Sequence, residues 1–240
     1  MNTNCDLCEW LHHSLEALRL FSYPFDLAAL PANGIYFFYE TGEYCNHGEA
    51  KSRIVRVGTH RDGNFKSRIA EHFLLDERKM AFSRDQSAPH DRSIFRKNIG
   101  RSLLNRAGDG YFPVWELDFM KRAVRERHRH LRDIGKEVAI EAEVTRILRE
   151  KFSFRFIEVA EENNRMGSEG LERALIGTLA SCPLCGPSAE WLGNYSPKPQ
   201  ICESGLWLVQ HLKAAPLSPA QQVLVTAAIE MTIASGRGTP

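Results

Sequence analysis

The stretch from Gly34 to His72 constrains the fold of this chain more than any other part of it. Ile35–Tyr39 and Arg53–Val57 are runs of β-branched and aromatic residues, and Gly42, Asn46 and Gly48 lie between them. That composition predicts two antiparallel strands joined by a loose hairpin. The turn residues Thr-His-Arg-Asp-Gly-Asn follow at 59–64. Beyond them Phe65, Ile69 and Phe73 recur at the spacing of one helical face, so Arg68 and His72 share a neighbouring face. Gly58, at the end of the second strand, leaves room for another group to approach the backbone.

Gly34-Ile35-Tyr36, then Arg56-Val57-Gly58, then Arg68 and His72, together resemble the motif order of the GIY-YIG nucleases. The resemblance implies an α/β domain of the α+β type, with a small, mainly antiparallel three-stranded sheet flanked by helices. It implies a divalent-metal-dependent endonuclease that hydrolyses DNA phosphodiester bonds. Glu172, on a helix predicted for Ser168–Ser181, matches the ligand of one Mg2+ or Mn2+ ion per site, and Asn194 matches a late Asn of some members. Arg56 departs from the family pattern, which has Tyr at that position.

The resemblance also implies roles. Tyr36 helps to activate the attacking water, Arg68 binds phosphate, and His72 orients the phenol or relays a proton. A free phenol, with a pKa near 10, is a poor base at neutrality unless cations surround it or it hands its proton on. Arg56 supplies such a cation but cannot be a base, because guanidinium does not deprotonate in a protein. His60, beside Gly58, is the candidate to take over the task of the missing Tyr.

With 240 residues, 43% of them hydrophobic, the chain can bury a sizeable core. A net charge of only +1 excludes a globally basic nucleic-acid binder, so any such footprint is local. Lys51–Arg106 holds 14 Lys or Arg and 6 Asp or Glu, a balance of 14 − 6 = +8. Arg61, Lys66, Arg96, Lys97 and Arg101 are the candidate nucleic-acid contacts. The last three lie on a predicted helix whose Phe95, Ile99 and Leu103 face the core and whose basic side chains stay in solvent. The dense Arg/His run from Lys121 to Arg132 reads either as a DNA-contacting arm or as a mobile insertion.

Three regions are expected. Residues 1–30 form a helical extension with Leu11, Leu15, Leu18 and Phe21 on one stripe. Residues 31–215 form the nuclease-like domain, with an insertion at about 76–135. Residues 216–240 form a helix and tail whose apolar stripe is Val223, Leu224, Ala227, Met231 and Ala234. Residues 152–160 read as the third strand, 111–119 as strand-like, and 187–207 as an ordered loop.

Six Cys and no secretory apolar segment at the start predict free thiols in a reducing cytoplasm, and no apolar run reaches membrane-spanning length. The pairs Cys5/Cys8 and Cys182/Cys185 have the spacing of a four-thiolate zinc site. No zinc-knuckle turn is legible beside the N-terminal helix, however, and little or no structural zinc is expected. Two rival readings stay open: a nucleic-acid-binding module that has lost cleavage, and a zinc-stabilised interaction protein. The oligomeric state is not legible.

Overall fold

The computed structural model describes residues 3–47 and 49–238. In chain order the elements begin with α1 (Thr3–Leu15), β1 (Phe21–Ser22), β2 (Ile35–His47), β3 (Glu49–Thr59) and α2 (Phe65–Phe73). Then come α3 (Pro89–Arg92), α4 (Ile94–Arg106), α5 (Phe112–Trp115), α6 (Arg122–His128), α7 (Ile134–Lys151) and β4 (Phe152–Ile157). The chain continues through α8 (Glu162–Arg165), α9 (Leu171–Ala180), α10 (Pro199–Ser204) and α11 (Pro219–Ala234).

The strands form one antiparallel sheet in the order β1-β4-β2-β3, giving an α+β fold. Alternation along β2 sends Ile35, Phe37 and Tyr39 to one face and Tyr36 and Phe38 to the other. The first face packs against apolar residues of α1, α9 and α11; the second packs against α2, α4 and α7 and against Trp191 and Trp207. Both faces of β2 are therefore covered, and its first six residues are all buried.

Several elements differ from the sequence expectation. The N-terminal helix stops at Leu15, and Phe21 instead pairs with Phe154, so β1 adds a fourth strand to the three predicted. The hairpin is longer than predicted. Gly42, at φ +93°, lies where the β2–β3 register shifts, and pairing resumes from Tyr44 to the end pair His47 and Glu49. Residues 111–119 are not a strand: Asp109 Oδ1 accepts from the Tyr111 N–H, and Pro113 starts the turn of α5. Residues 187–207 contain a 3-10 turn and α10.

In α11 the packed face is Val225, Ala228, Ile229 and Thr232, whereas Val223, Leu224 and Met231 are exposed. The helix is apolar nearly all round, so periodicity could not fix its phase.

The insertion region folds around buried ion pairs. Arg96 of α4 donates to Glu141 Oε2 of α7 at 2.5 Å, to Thr145 Oγ1 at 2.7 Å and to the His72 carbonyl at 3.0 Å. Arg132 donates to Glu137 at 2.5 Å. Among the described residues no helix is long and apolar enough to cross a membrane.

Candidate active site

Tyr36 is the second residue of β2 and lies directly across from Gly58 of β3. Its ring covers the glycine, and a Cβ at position 58 would overlap the phenol. The aromatic strand residue and the glycine thus act as a pair, one supplying the ring and the other the space for it. Phe38, Phe65 and His72 hold the ring edge-on, with centroids 5.3, 6.0 and 5.6 Å away.

The phenol oxygen is 3.2 Å from Nε2 of His72, and Nδ1 of the same imidazole is 2.8 Å from Ser93 Oγ. Ser93 is the N-cap of α4, where its Oγ also accepts from the Arg96 N–H at 3.3 Å. Burial first, and then the charges of Arg68, Arg56 and other neighbours, hold His72 well below the ordinary imidazole range. It is therefore neutral at pH 7, with one ring nitrogen protonated and the other able to accept.

Arg56 stands where the second motif has Tyr. Its buried guanidinium lies over Phe95 at 4.8 Å and donates to the Trp207 carbonyl at 2.5 Å. Burial pulls its pKa down while the phenol of Tyr36 acts against that, and it remains a cation. Arg68, on α2, donates to the Arg92 carbonyl at 2.7 Å and to Glu71 at 3.2 Å. The Nε groups of both arginines are buried and have no hydrogen-bond partner among the described residues.

Glu172, in the first turn of α9, accepts the Thr59 N–H on Oε1 at 3.1 Å. Burial pushes its pKa up, opposed by the Thr59 N–H and by Arg56, His211 and Arg68. Among the described residues Oε2 carries no protein hydrogen bond. A single carboxylate with a free oxygen suits a hard cation such as Mg2+, which keeps several waters and takes its remaining ligands from phosphate. His60 is half-buried, and its ring makes no hydrogen bond among the described residues. Burial and the charge of Arg68 bring it down to about 4, leaving a neutral imidazole at pH 7.

The structure therefore gathers Tyr36, Arg56, His60, Arg68, His72 and Glu172 around the end of β3. It does not bring Asn194 to them: the Asn194 side chain donates to the carbonyls of Ser188 and Ala189 within its own loop.

The expectation of solvent-facing bases on α4 is corrected. Arg96 is fully buried against Glu141, Lys97 donates to the Leu117 carbonyl at 2.7 Å, and Arg101 is paired with Glu116. The acids that pair with Arg96 and Arg101 come from outside the local stretch counted in the sequence, while Arg61, Arg78, Lys79, Arg84, Arg92 and Arg106 of that stretch remain exposed. Arg61 is exposed, and Lys66 is half-buried with Nζ 3.4 Å from the Ala28 carbonyl.

Sequence reasoning missed Ser93, which reads only as a helix cap, and His211, an exposed residue at φ +62° whose charge acts on Glu172. Arg173 and His211 line a groove of about 690 Å³ that also includes Lys213 and Gln200. No local pattern marks a residue that arrives from a loop some 40 positions downstream.

A family model described as GIY-YIG domain matches residues 1–233. No curated protein and no solved structure matches the chain.

Proposed function

We propose that this chain, which belongs to the GIY-YIG domain family, whose members are generally nucleases, is a divalent-metal-dependent endonuclease acting on DNA. The observation that carries the reading is the convergence of two guanidinium cations, Arg56 and Arg68, at the end of β3. Two cations held close together suit the oxygens of a phosphate. They lie beside a phenol held by a neutral imidazole and beside a carboxylate with a free oxygen.

Hydrolysis needs an oriented water, stabilisation of charge on a five-coordinate phosphorus, and neutralisation of the leaving oxygen. Tyr36 orients and polarises the water. His72 accepts the phenol hydrogen bond on Nε2 and donates from Nδ1 to Ser93, which fixes the hydroxyl proton on the side of the ring away from the water. A neutral His72 does this without adding another positive charge beside Arg56 and Arg68. Neutral His60 is the free base at hand where the family carries a second Tyr. Arg56 and Arg68 bind the phosphate and stabilise its charge more strongly as that charge grows. Glu172 would hold the Mg2+ or Mn2+ ion, which supplies charge stabilisation at the leaving oxygen. Arg173, His211 and Lys213 offer the strand a path along the groove, and Arg61 is exposed in the loop after β3. The buried Arg96, Lys97 and Arg101 have no part in it.

Supercoiled-plasmid nicking with Mg2+, Mn2+ and EDTA in parallel tests the reading. Nicking with either ion and none in EDTA is expected. DNA binding without nicking under any ion would replace it with the binding-module reading, which the Arg at position 56 favours.

A further inference from the structure

Both CxxC pairs lie on the face of the sheet opposite Tyr36. Cys8 sits on α1, Cys182 and Cys185 lie in the loop after α9, and His47 ends β2. The side chains converge. Cys8 Sγ is 3.4 Å from Cys185 Sγ, and His47 Nε2 is 3.3 Å from Cys185 Sγ and 3.5 Å from Cys182 Sγ. All four donor atoms lie within 4.8 Å of one another, and all four residues have less than a tenth of their surface exposed.

We infer that Cys8, His47, Cys182 and Cys185 form a closed structural zinc site, a three-thiolate, one-imidazole centre that ties α1, the β2–β3 hairpin and the loop after α9 together.

Zn–S bonds of about 2.3 Å and Zn–N bonds of about 2.0–2.1 Å at tetrahedral angles put ligand atoms about 3.5–3.8 Å apart. The Cys8–Cys185, His47–Cys185 and His47–Cys182 separations fall within a few tenths of an ångström of that, and the remaining pairs lie within 4.8 Å. Without a metal, three thiols and an imidazole nitrogen crowd together with only weak S–H donors to share between them. A cation at their centre satisfies every one, and loading it releases the thiol protons. The sulfur separation of 3.4 Å is far beyond a disulfide bond of about 2.05 Å.

The surroundings are those of a metal loop. Cys182 and Cys185 close a turn in which the Cys185 N–H donates to the Cys182 carbonyl at 3.3 Å. The Leu184 carbonyl accepts from the Asn46 N–H at 3.0 Å, which fixes this loop beside His47.

Two neighbours are excluded as ligands or left outside by their own contacts. Nδ1 of His12 is 2.8 Å from the Cys8 carbonyl and Nε2 accepts the Ile54 N–H at 3.2 Å, so both ring nitrogens are spent. That imidazole supports the backbone of a ligand residue instead. Cys5 is only partly buried, and although its sulfur is 3.9 Å from that of Cys182 it does not join the four whose donor atoms all lie within 4.8 Å of one another. The proposed site runs against the expectation of little or no zinc and takes His47 as the fourth ligand in place of Cys5. Four protein ligands and a buried setting leave no open position for substrate, which makes the centre structural. It lies at the C-terminal end of α9, the helix whose first turn carries Glu172.

The test is metal analysis of the full-length chain purified without chelator, with Co2+ substitution to read the ligand set. One zinc per chain is expected, retained in Cys5→Ser and Cys202→Ser and lost in Cys8→Ser and Cys185→Ser. The Co2+ form should show the intense visible bands of a tetrahedral thiolate site, weakened and shifted in His47→Asn. Zinc removal should lower the melting temperature, and re-addition should restore it. If Cys8→Ser and Cys185→Ser do not fold, the parent protein alone decides, through its metal content and Co2+ spectrum. Less than a tenth of an equivalent of zinc after reconstitution of the reduced chain, a Cys8–Cys185 disulfide in the native protein, or iron in place of zinc would overturn the assignment. Zinc lost in Cys5→Ser but kept in His47→Asn would overturn it as well. None of these readouts depends on nuclease activity, so they stand or fall apart from the nicking assay.

Discussion

The Tyr36 phenol oxygen lies 3.2 Å from Nε2 of His72, two buried groups brought together from β2 and α2. The contact joins a group suited to orienting water with an imidazole that burial keeps neutral. Removing the hydroxyl therefore tests the chemistry with little change of shape. Tyr36→Phe should keep its fold and its DNA affinity and lose cleavage by at least about tenfold, since general acid–base participants contribute roughly 10²–10⁴-fold. Plasmid nicking beside circular dichroism reads this, and unchanged nicking removes Tyr36 from the mechanism.

The space for that phenol comes from Gly58. A methyl group there would overlap the ring, so Gly58→Ala must displace Tyr36 or part β2 from β3. Overpacking of this kind costs about 1–3 kcal/mol. Urea unfolding should show that loss, and nicking should fall with it even under conditions where the variant remains folded. A variant as stable and active as the parent would mean that the ring is free to move.

Glu172 and Arg68 should separate binding from cleavage. A carboxylate near bound phosphate repels it when no metal is present, so Glu172→Ala should abolish nicking while DNA affinity in EDTA stays equal or rises. Arg68→Ala removes a phosphate contact and should weaken both cleavage and salt-dependent binding. Gel shifts and nicking on both variants decide it. A folded Glu172→Ala protein that nicks like the parent would sink the metal-ligand role.

Acid should destabilise the fold through His72. Its folded pKa lies well below the ordinary 6.5, with burial the first cause, so below pH 6.5 the unfolded chain takes up a proton that the folded chain refuses. Stability that is fully present above pH 6.5 is lost as pH falls toward the folded value, by up to about 1.4 kcal/mol per pH unit. Urea unfolding of the parent and of His72→Gln between pH 7.5 and 5 should show a flatter dependence in the variant. Parallel curves would mean that His72 takes up its proton in the native state.

Arg96 illustrates a base that the fold consumes. Glu141, held down to about 2 despite its burial by Arg96 and His90, faces it across α4 and α7. Glu141→Ala leaves a buried guanidinium uncompensated and should cost about 3–5 kcal/mol. Arg96→Ala should likewise lower the melting temperature while leaving the salt slope of DNA binding per folded molecule unchanged. A reduced salt slope with intact stability would return Arg96 to the DNA surface.

The sequence by itself determined the local units. Two strands of β-branched and aromatic residues, a glycine at the end of the second, and a helix with Phe65, Ile69 and Phe73 inward follow from side-chain periodicity and backbone sterics, which act over a few residues. That was enough to put Arg68 and His72 on one face and to bring out the resemblance at Tyr36. What the tertiary structure decided is what each charged or sulfur-bearing side chain meets. Arg96, Lys97 and Arg101 look like solvent bases until Glu141 and Glu116 arrive from other segments to bury or pair them. The phase of α11 depends on which side the sheet presents, because the helix itself is apolar nearly all round. Most of all, Cys8 and Cys185 acquire His47 only because β2 runs on past Gly42, and strand pairing with β3 decides that length. Periodicity encodes which face a residue occupies; the partner waiting at that face is set by contacts between segments far apart in sequence.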